Sequence, residues 1–124
     1  MGNPVAWFEI YVKDLQRARR FYESVLGLTL AEMNSPIAGM KMLAFPTGQD
    51  SYGATGALIQ MEGAPSGPGG TMVYFSCADC AVEAGRVAAA GGKVEKAKFS
   101  IAPFGNISIV VDTEGNMLGL HSMN

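Results

Sequence analysis

The sequence predicts an α+β protein made of two βαβββ modules, and three observations carry that prediction. The stretch from Val5 to Gly27 alternates like a strand, turns at an aspartate and continues as an amphipathic helix closed by glycine. A looser copy runs from Thr71 to Gly92, where Asp79 precedes Gly92 by the same interval that separates Asp14 from Gly27. Each copy is followed by short apolar runs separated by Gly, Pro, Asn and Asp.

The first strand is read over Val5–Val12. Trp7, Glu9 and Tyr11 share one face, and Phe8, Ile10 and Val12 share the other, because side chains alternate across a strand. The second face is wholly apolar and is expected to pack on a helix. The first sets a carboxylate between two rings, and burying it requires a partner. In the helix, Asp14 stands where an N-cap belongs, and Leu15, Ala18, Tyr22 and Val25 form the apolar stripe. Gly27 ends it.

Further strands are expected over 28–33, 39–45 and 56–62, with a polar loop at 46–55. Gly63–Gly70, GAPSGPGG, is turn-forming throughout and joins the halves. The second module is expected to run as a strand over 71–77, a helix from about Asp79 to Ala90, and strands over 93–98, 107–111 and 117–121. A hairpin turn, Asp112–Asn116, precedes the last strand. The expected organisation is one domain over 1–124, with module 1 at about 4–62 and module 2 at about 71–123.

Composition bounds the function. Hydrophobic residues make up 48% and charged residues 16%, which suits a packed core rather than disorder. The net charge is −2 without a basic stripe, which argues against nucleic acid as a partner. Lys13, Arg17, Arg19 and Arg20 read as a solvated helix face. No apolar run approaches the ~20 residues that span a bilayer, and the N-terminus has neither a basic region nor an apolar one. No membrane partner and a cytoplasmic location are the expectations. Cys77 and Cys80 form a C-x-x-C spacing. A redox pair is the sharper reading, but the aromatic-Cys-Gly-Pro flank is missing, so buried or partly buried small residues are expected instead.

The two βαβββ halves, the helix end FYESVLGL and the hairpin DTEGNMLGL together resemble the vicinal oxygen chelate superfamily, the group of glyoxalase I, bleomycin-resistance proteins and extradiol dioxygenases. The resemblance covers nearly the whole chain. It implies a mixed sheet curled around a shared cleft, a homodimer, and a small-molecule ligand. In metal-dependent relatives, strands of both halves supply ligands to one ion. Laid on this sequence, those positions fall on Trp7, Gln60, Val73 and Gly119, of which Gln60 alone has a weak donor. The resemblance therefore implies the cleft without the metal, and no cofactor is expected.

The cleft face is expected to comprise Trp7, Glu9, Tyr11, Leu58, Gln60, Val73, Phe75, Met117, Gly119 and His121, an apolar lining with a few polar groups. Gly119 is read as leaving room for a ligand. Three functions follow. The first is a metal-free protein holding a planar or apolar molecule between rings, with Trp7, Tyr11 and Phe75 stacking. The second is a metal-dependent lyase, isomerase or dioxygenase using a divalent metal on atypical ligands, Glu9, Glu62 and His121. The third is a metal-free enzyme using Glu9 and His121 as acid and base. The missing ligands put the first ahead.

Overall fold

In the computed structural model, which describes residues 2–48 and 52–124, the alternation from Val5 onward forms strand β1 (Val5–Tyr11), followed by helix α1 (Leu15–Leu26). The Asp14 carboxylate accepts from the Arg17 amide at 3.0 Å, which satisfies one of the free N–H groups at the helix start. Gly27 closes the helix at φ 65°, a left-handed conformation that glycine adopts without a Cβ clash. Strands β2 (Ala31–Met33), β3 (Met40–Ala44) and β4 (Thr55–Met61) complete the first βαβββ run. Strand β5 (Thr71–Ser76), helix α2 (Cys80–Ala84), and strands β6 (Lys93–Ser100), β7 (Asn106–Val111) and β8 (Met117–Ser122) repeat it. The α+β class and both modules are those the sequence predicts. Residues 49–51 of the loop expected over 46–55 lie outside the described residues.

The chain divides into two compact bodies, Trp7–Thr71, and Met72–Asn124 with the residues up to Ala6. In the first body the strands run β2-β3-β4-β1, with β1 parallel to β4 and the other pairs antiparallel. In the second the order is β5-β8-β7-β6, with β5 parallel to β8 and the rest antiparallel. The joining stretch 63–70 is part of the first body: the Tyr11 amide donates to the Gly70 carbonyl at 2.7 Å. Residues ahead of Trp7 go with the second, where the Ser76 amide donates to the Pro4 carbonyl at 2.9 Å.

Helix α1 packs through Leu15, Ala18 and Tyr22 on Phe8, Ile10, Leu43, Phe45 and Leu58. Val25, expected on the same stripe, is 62% exposed. At 3.6 residues per turn it lies about 80° around the axis from Leu15, past the edge of the buried face. Helix α2 ends at Ala84, well short of the expected Ala90. Beyond it the backbone bonds shorten mostly to i→i−3, from Arg86 to Gly91, so the segment continues as tight turns. Its alanines bury little, and Cys80 and Ala84 sit directly against Val110 and Leu120. No helix among the described residues is long and apolar enough to cross a membrane.

Candidate functional site

The face of the first sheet turned away from α1 follows from register. Glu9 pairs with Ala57 and Tyr11 with Ile59, while Met42 lies opposite Ile59 and Met33 opposite Met42. Met42, Ala57 and Ile59 form a buried floor, and Trp7, Tyr11, Met33 and Met40 are partly buried around it. Glu9 sits in this apolar setting at 7% exposure. Its two flanking rings hold it: the Trp7 indole N–H donates to Oε2 at 3.1 Å and the Tyr11 hydroxyl to Oε1 at 2.9 Å. One strand thus supplies the carboxylate and two donors at i−2 and i+2, which is the partner the sequence reading required. A charged acceptor presented among aromatic and thioether groups can orient a ligand's donor while the surround binds its apolar body.

Leu58 and Gln60 do not share this face, contrary to the expectation. Leu58 pairs with Ile10 and is fully buried in the core under α1. The Gln60 Oε1 accepts from the Leu15 amide at 2.9 Å, so its side chain caps the helix from behind the sheet. GALIQM carries apolar residues on both faces, and alternation within one strand does not say which face meets the helix.

The second body needs the same correction. Tyr74 pairs with Gly119, and a Cβ on Gly119 would fall 2.1 Å from the Tyr74 ring. Gly119 is therefore small because Tyr74 occupies the space, rather than because a ligand does. Phe75 lies on the other face, against the α2 cluster, and strand alternation puts Val73 there too. Tyr74 and Met72 take the places expected for Phe75 and Val73, on the same face as Met117 and His121. The His121 Nε2 donates to the Phe104 carbonyl at 2.6 Å, so that nitrogen is committed to its own backbone.

The metal positions of the resembled superfamily do not fit an ion. Trp7 and Gly119 carry no ligating group. With the strand faces corrected, Ile59 and Met61 replace Gln60, and Met72 and Tyr74 replace Val73, with neither imidazole nor carboxylate among them. Among the described residues no group of three His, Cys, Asp or Glu side chains converges, and Glu62 is exposed in the turn after β4. Cys80 is buried and Cys77 half-buried. Burial pushes the Cys77 thiol up, and the Glu83 carboxylate adds to this, which disfavours the thiolate that redox chemistry needs.

A concavity elsewhere escaped the sequence reading. A pocket of about 590 Å³ opens in the first body where β1 runs into α1, lined among others by Lys13, Arg17, Phe21, Tyr22 and Gly67. Lys13 and Arg17 read in sequence as an ordinary solvated helix face. The turn-rich 63–70 stretch was the available signal, since a folded loop of that length has to pack on something.

A family model for the Glyoxalase/Bleomycin resistance protein/Dioxygenase superfamily matches residues 5–120. No curated protein matches the chain. Among solved structures, a methylmalonyl-CoA epimerase from Mycobacterium tuberculosis is similar with a TM-score of 0.69 at 18% identity, over 98% of this chain and 88% of that one. A Streptomyces coelicolor methylmalonyl-CoA epimerase in complex with 2-nitronate-propionyl-CoA gives 0.67 at 18% identity, over 97% and 96%. A hypothetical protein from Bacillus halodurans C-125 gives 0.74 at 14% identity, over 100% and 96%. At these identities the likeness is one of fold.

Proposed function

From the premise that the chain belongs to the Glyoxalase/Bleomycin resistance protein/Dioxygenase superfamily, we propose that it binds a small apolar or aromatic molecule, without a metal ion, on the Trp7–Glu9–Tyr11 face of its first body. The observation that carries this reading is the buried Glu9 carboxylate, held by two ring donors above a floor of Met42, Ala57 and Ile59. The rings and thioethers supply apolar contact area, and Glu9 receives a hydroxyl or amine of the ligand. The protein acts in the cytoplasm, as two free cysteines suit, and pairs as a homodimer. The exposed apolar residues Val25 and Leu26 on α1 support pairing. Sedimentation then gives about 26 kDa, twice the 13.0 kDa chain mass; a 13.0 kDa species at micromolar concentration removes the pairing.

Trp7 is the chain's single tryptophan, so its fluorescence reports the face directly. Titration with 2-naphthol is expected to quench it, and naphthalene, which has no donor for Glu9, to bind more weakly. By calorimetry, Trp7→Ala weakens 2-naphthol by about tenfold or more. Gln60→Ala, behind the sheet, leaves affinity unchanged while lowering stability. Equal losses in the two variants, or quenching by neither compound, would remove the proposal.

The buried carboxylate also favours a second reading, an acid–base enzyme of the lyase or isomerase type in which Glu9 moves a proton. A pH–rate profile with candidate carbonyl substrates tests it: an acid limb abolished by Glu9→Gln supports the reading, and an unchanged rate in that variant ends it.

A further inference from the structure

The pocket between the β1–α1 turn and the 63–70 loop shares Tyr11 with the Trp7 face, but Trp7 and Glu9 do not line it and its chemistry differs. Its volume, about 590 Å³, lies in the range of small-molecule sites. Two cations, Lys13 and Arg17, stand on it, and among the described residues neither has an ion-pair partner. Arg19, Lys93 and Lys98 are by contrast each paired with a carboxylate. Asp14 also lines the pocket, and its carboxylate already accepts from the Arg17 backbone amide. Beside the cations, one helical turn on from Arg17, lies apolar area. Phe21 is 58% exposed, an unusual place for a phenylalanine, and it meets Tyr22 edge-on at 5.1 Å between ring centres. The third wall is backbone: Gly67 has φ +77°, and a Cβ on Gly70 would strike Ser66 at 2.9 Å, so the loop approaches without side chains in the way.

We propose that this pocket is a second binding site, for an organic anion: a carboxylate or phosphate carried on an aromatic or aliphatic body. Lys13 and Arg17 take the anionic group and Phe21 with Tyr22 take the body. Arg17 provides a fork suited to two anion oxygens, and Lys13 a point charge. The exposed Phe21 ring and the unpaired cations are then two halves of one amphipathic site.

The test uses the whole protein and three probes with one naphthyl body: 1-naphthoate, 1-naphthyl phosphate and the neutral 1-naphthamide. NMR titration is expected to shift the amides of Lys13, Arg17, Gly67 and Gly70 with one or both anions, and the stronger anion identifies the headgroup. The amide binds about tenfold more weakly, and the double variant Lys13→Gln/Arg17→Gln loses about tenfold for the anions. Both positions are exposed, and circular dichroism checks that the variant stays folded. Phe21→Ala weakens the naphthyl anions too. Shifts confined to Trp7, Met40 and Met42, equal binding of the amide, unchanged affinity in the double variant, or no binding at millimolar concentration would each overturn the site. The 2-naphthol titration followed by Trp7 fluorescence is read separately, so failure of this pocket leaves the Trp7 face to be judged by its own test.

Discussion

Gly119 shows how one missing side chain is specified by a neighbour. Tyr74 is buried, and its ring lies where a Cβ at 119 would stand, with the closest approach at 2.1 Å. Gly119→Ala is therefore expected to destabilise the fold by about 1–3 kcal/mol, the usual range for overpacking. Truncating the ring should remove that penalty, so Tyr74→Ala and Gly119→Ala together should cost less than their sum by about 1 kcal/mol or more in a denaturation cycle. Strict additivity would mean that the ring moves aside and that Gly119 serves another purpose. Gly56 is a harsher case, because its Cβ would meet the Phe8 carbonyl at 2.0 Å, and a backbone atom has no rotamer to escape into. Neither constraint could be read from the sequence, where a glycine in a strand signals close approach without naming what approaches.

At the scale of elements, caps and turns were legible and faces were not. Asp14, Gly27 and Asp79 announce helix ends through chemistry that is local in sequence, and each does what its residue type implies. Strand faces depend on partners far along the chain. Leu58, Gln60, Val73 and Phe75 lie one step out of phase with the alternation expected from sequence, because their strands are apolar on both sides. The β7–β8 turn is legible and testable. The Asp112 carboxylate accepts from the amides of Glu114 and Asn116 and from the Asn116 side chain, at 2.8, 2.9 and 3.1 Å. Those bonds hold its pKa below the ordinary aspartate value, led by the Asn116 amide. Asp79 is lowered by Lys98 and the Ala81 amide, and Glu23 by the Leu30 amide and Arg19. In each case the folded pKa is the lower one. The stabilisation is complete above the unfolded carboxylate value and is lost as pH falls through the folded one. Denaturation midpoints are expected to drop as pH falls below the ordinary carboxylate range of about 4, and Asp112→Asn should flatten part of that drop. An identical pH profile in the variant would show that the turn does not depend on the charge.

For the molecule as a whole, the decisive property is whether it can hold an ion. The superfamily's metal-dependent members need several charged or imidazole donors meeting at one point, because binding a divalent cation means replacing its water. Here the aligned strand positions carry an indole, thioethers, an aliphatic chain, a phenol and a hydrogen. The carboxylate on the Trp7 face is already held by two donors. His121 spends its Nε2 on the Phe104 carbonyl. Ligand affinity should accordingly come from apolar contact and Glu9, and it should not respond to chelators. Elemental analysis of the purified protein is expected to find no stoichiometric transition metal, and added Zn²⁺, Ni²⁺, Fe²⁺ or Mn²⁺ should confer no glutathione-hemithioacetal isomerase activity. About one metal per chain, removed by a chelator together with 2-naphthol binding, would overturn this. It would direct attention to Glu9, Glu62 and His121 as the ligands to substitute next, with loss of metal in Glu9→Gln separating them from adventitious sites.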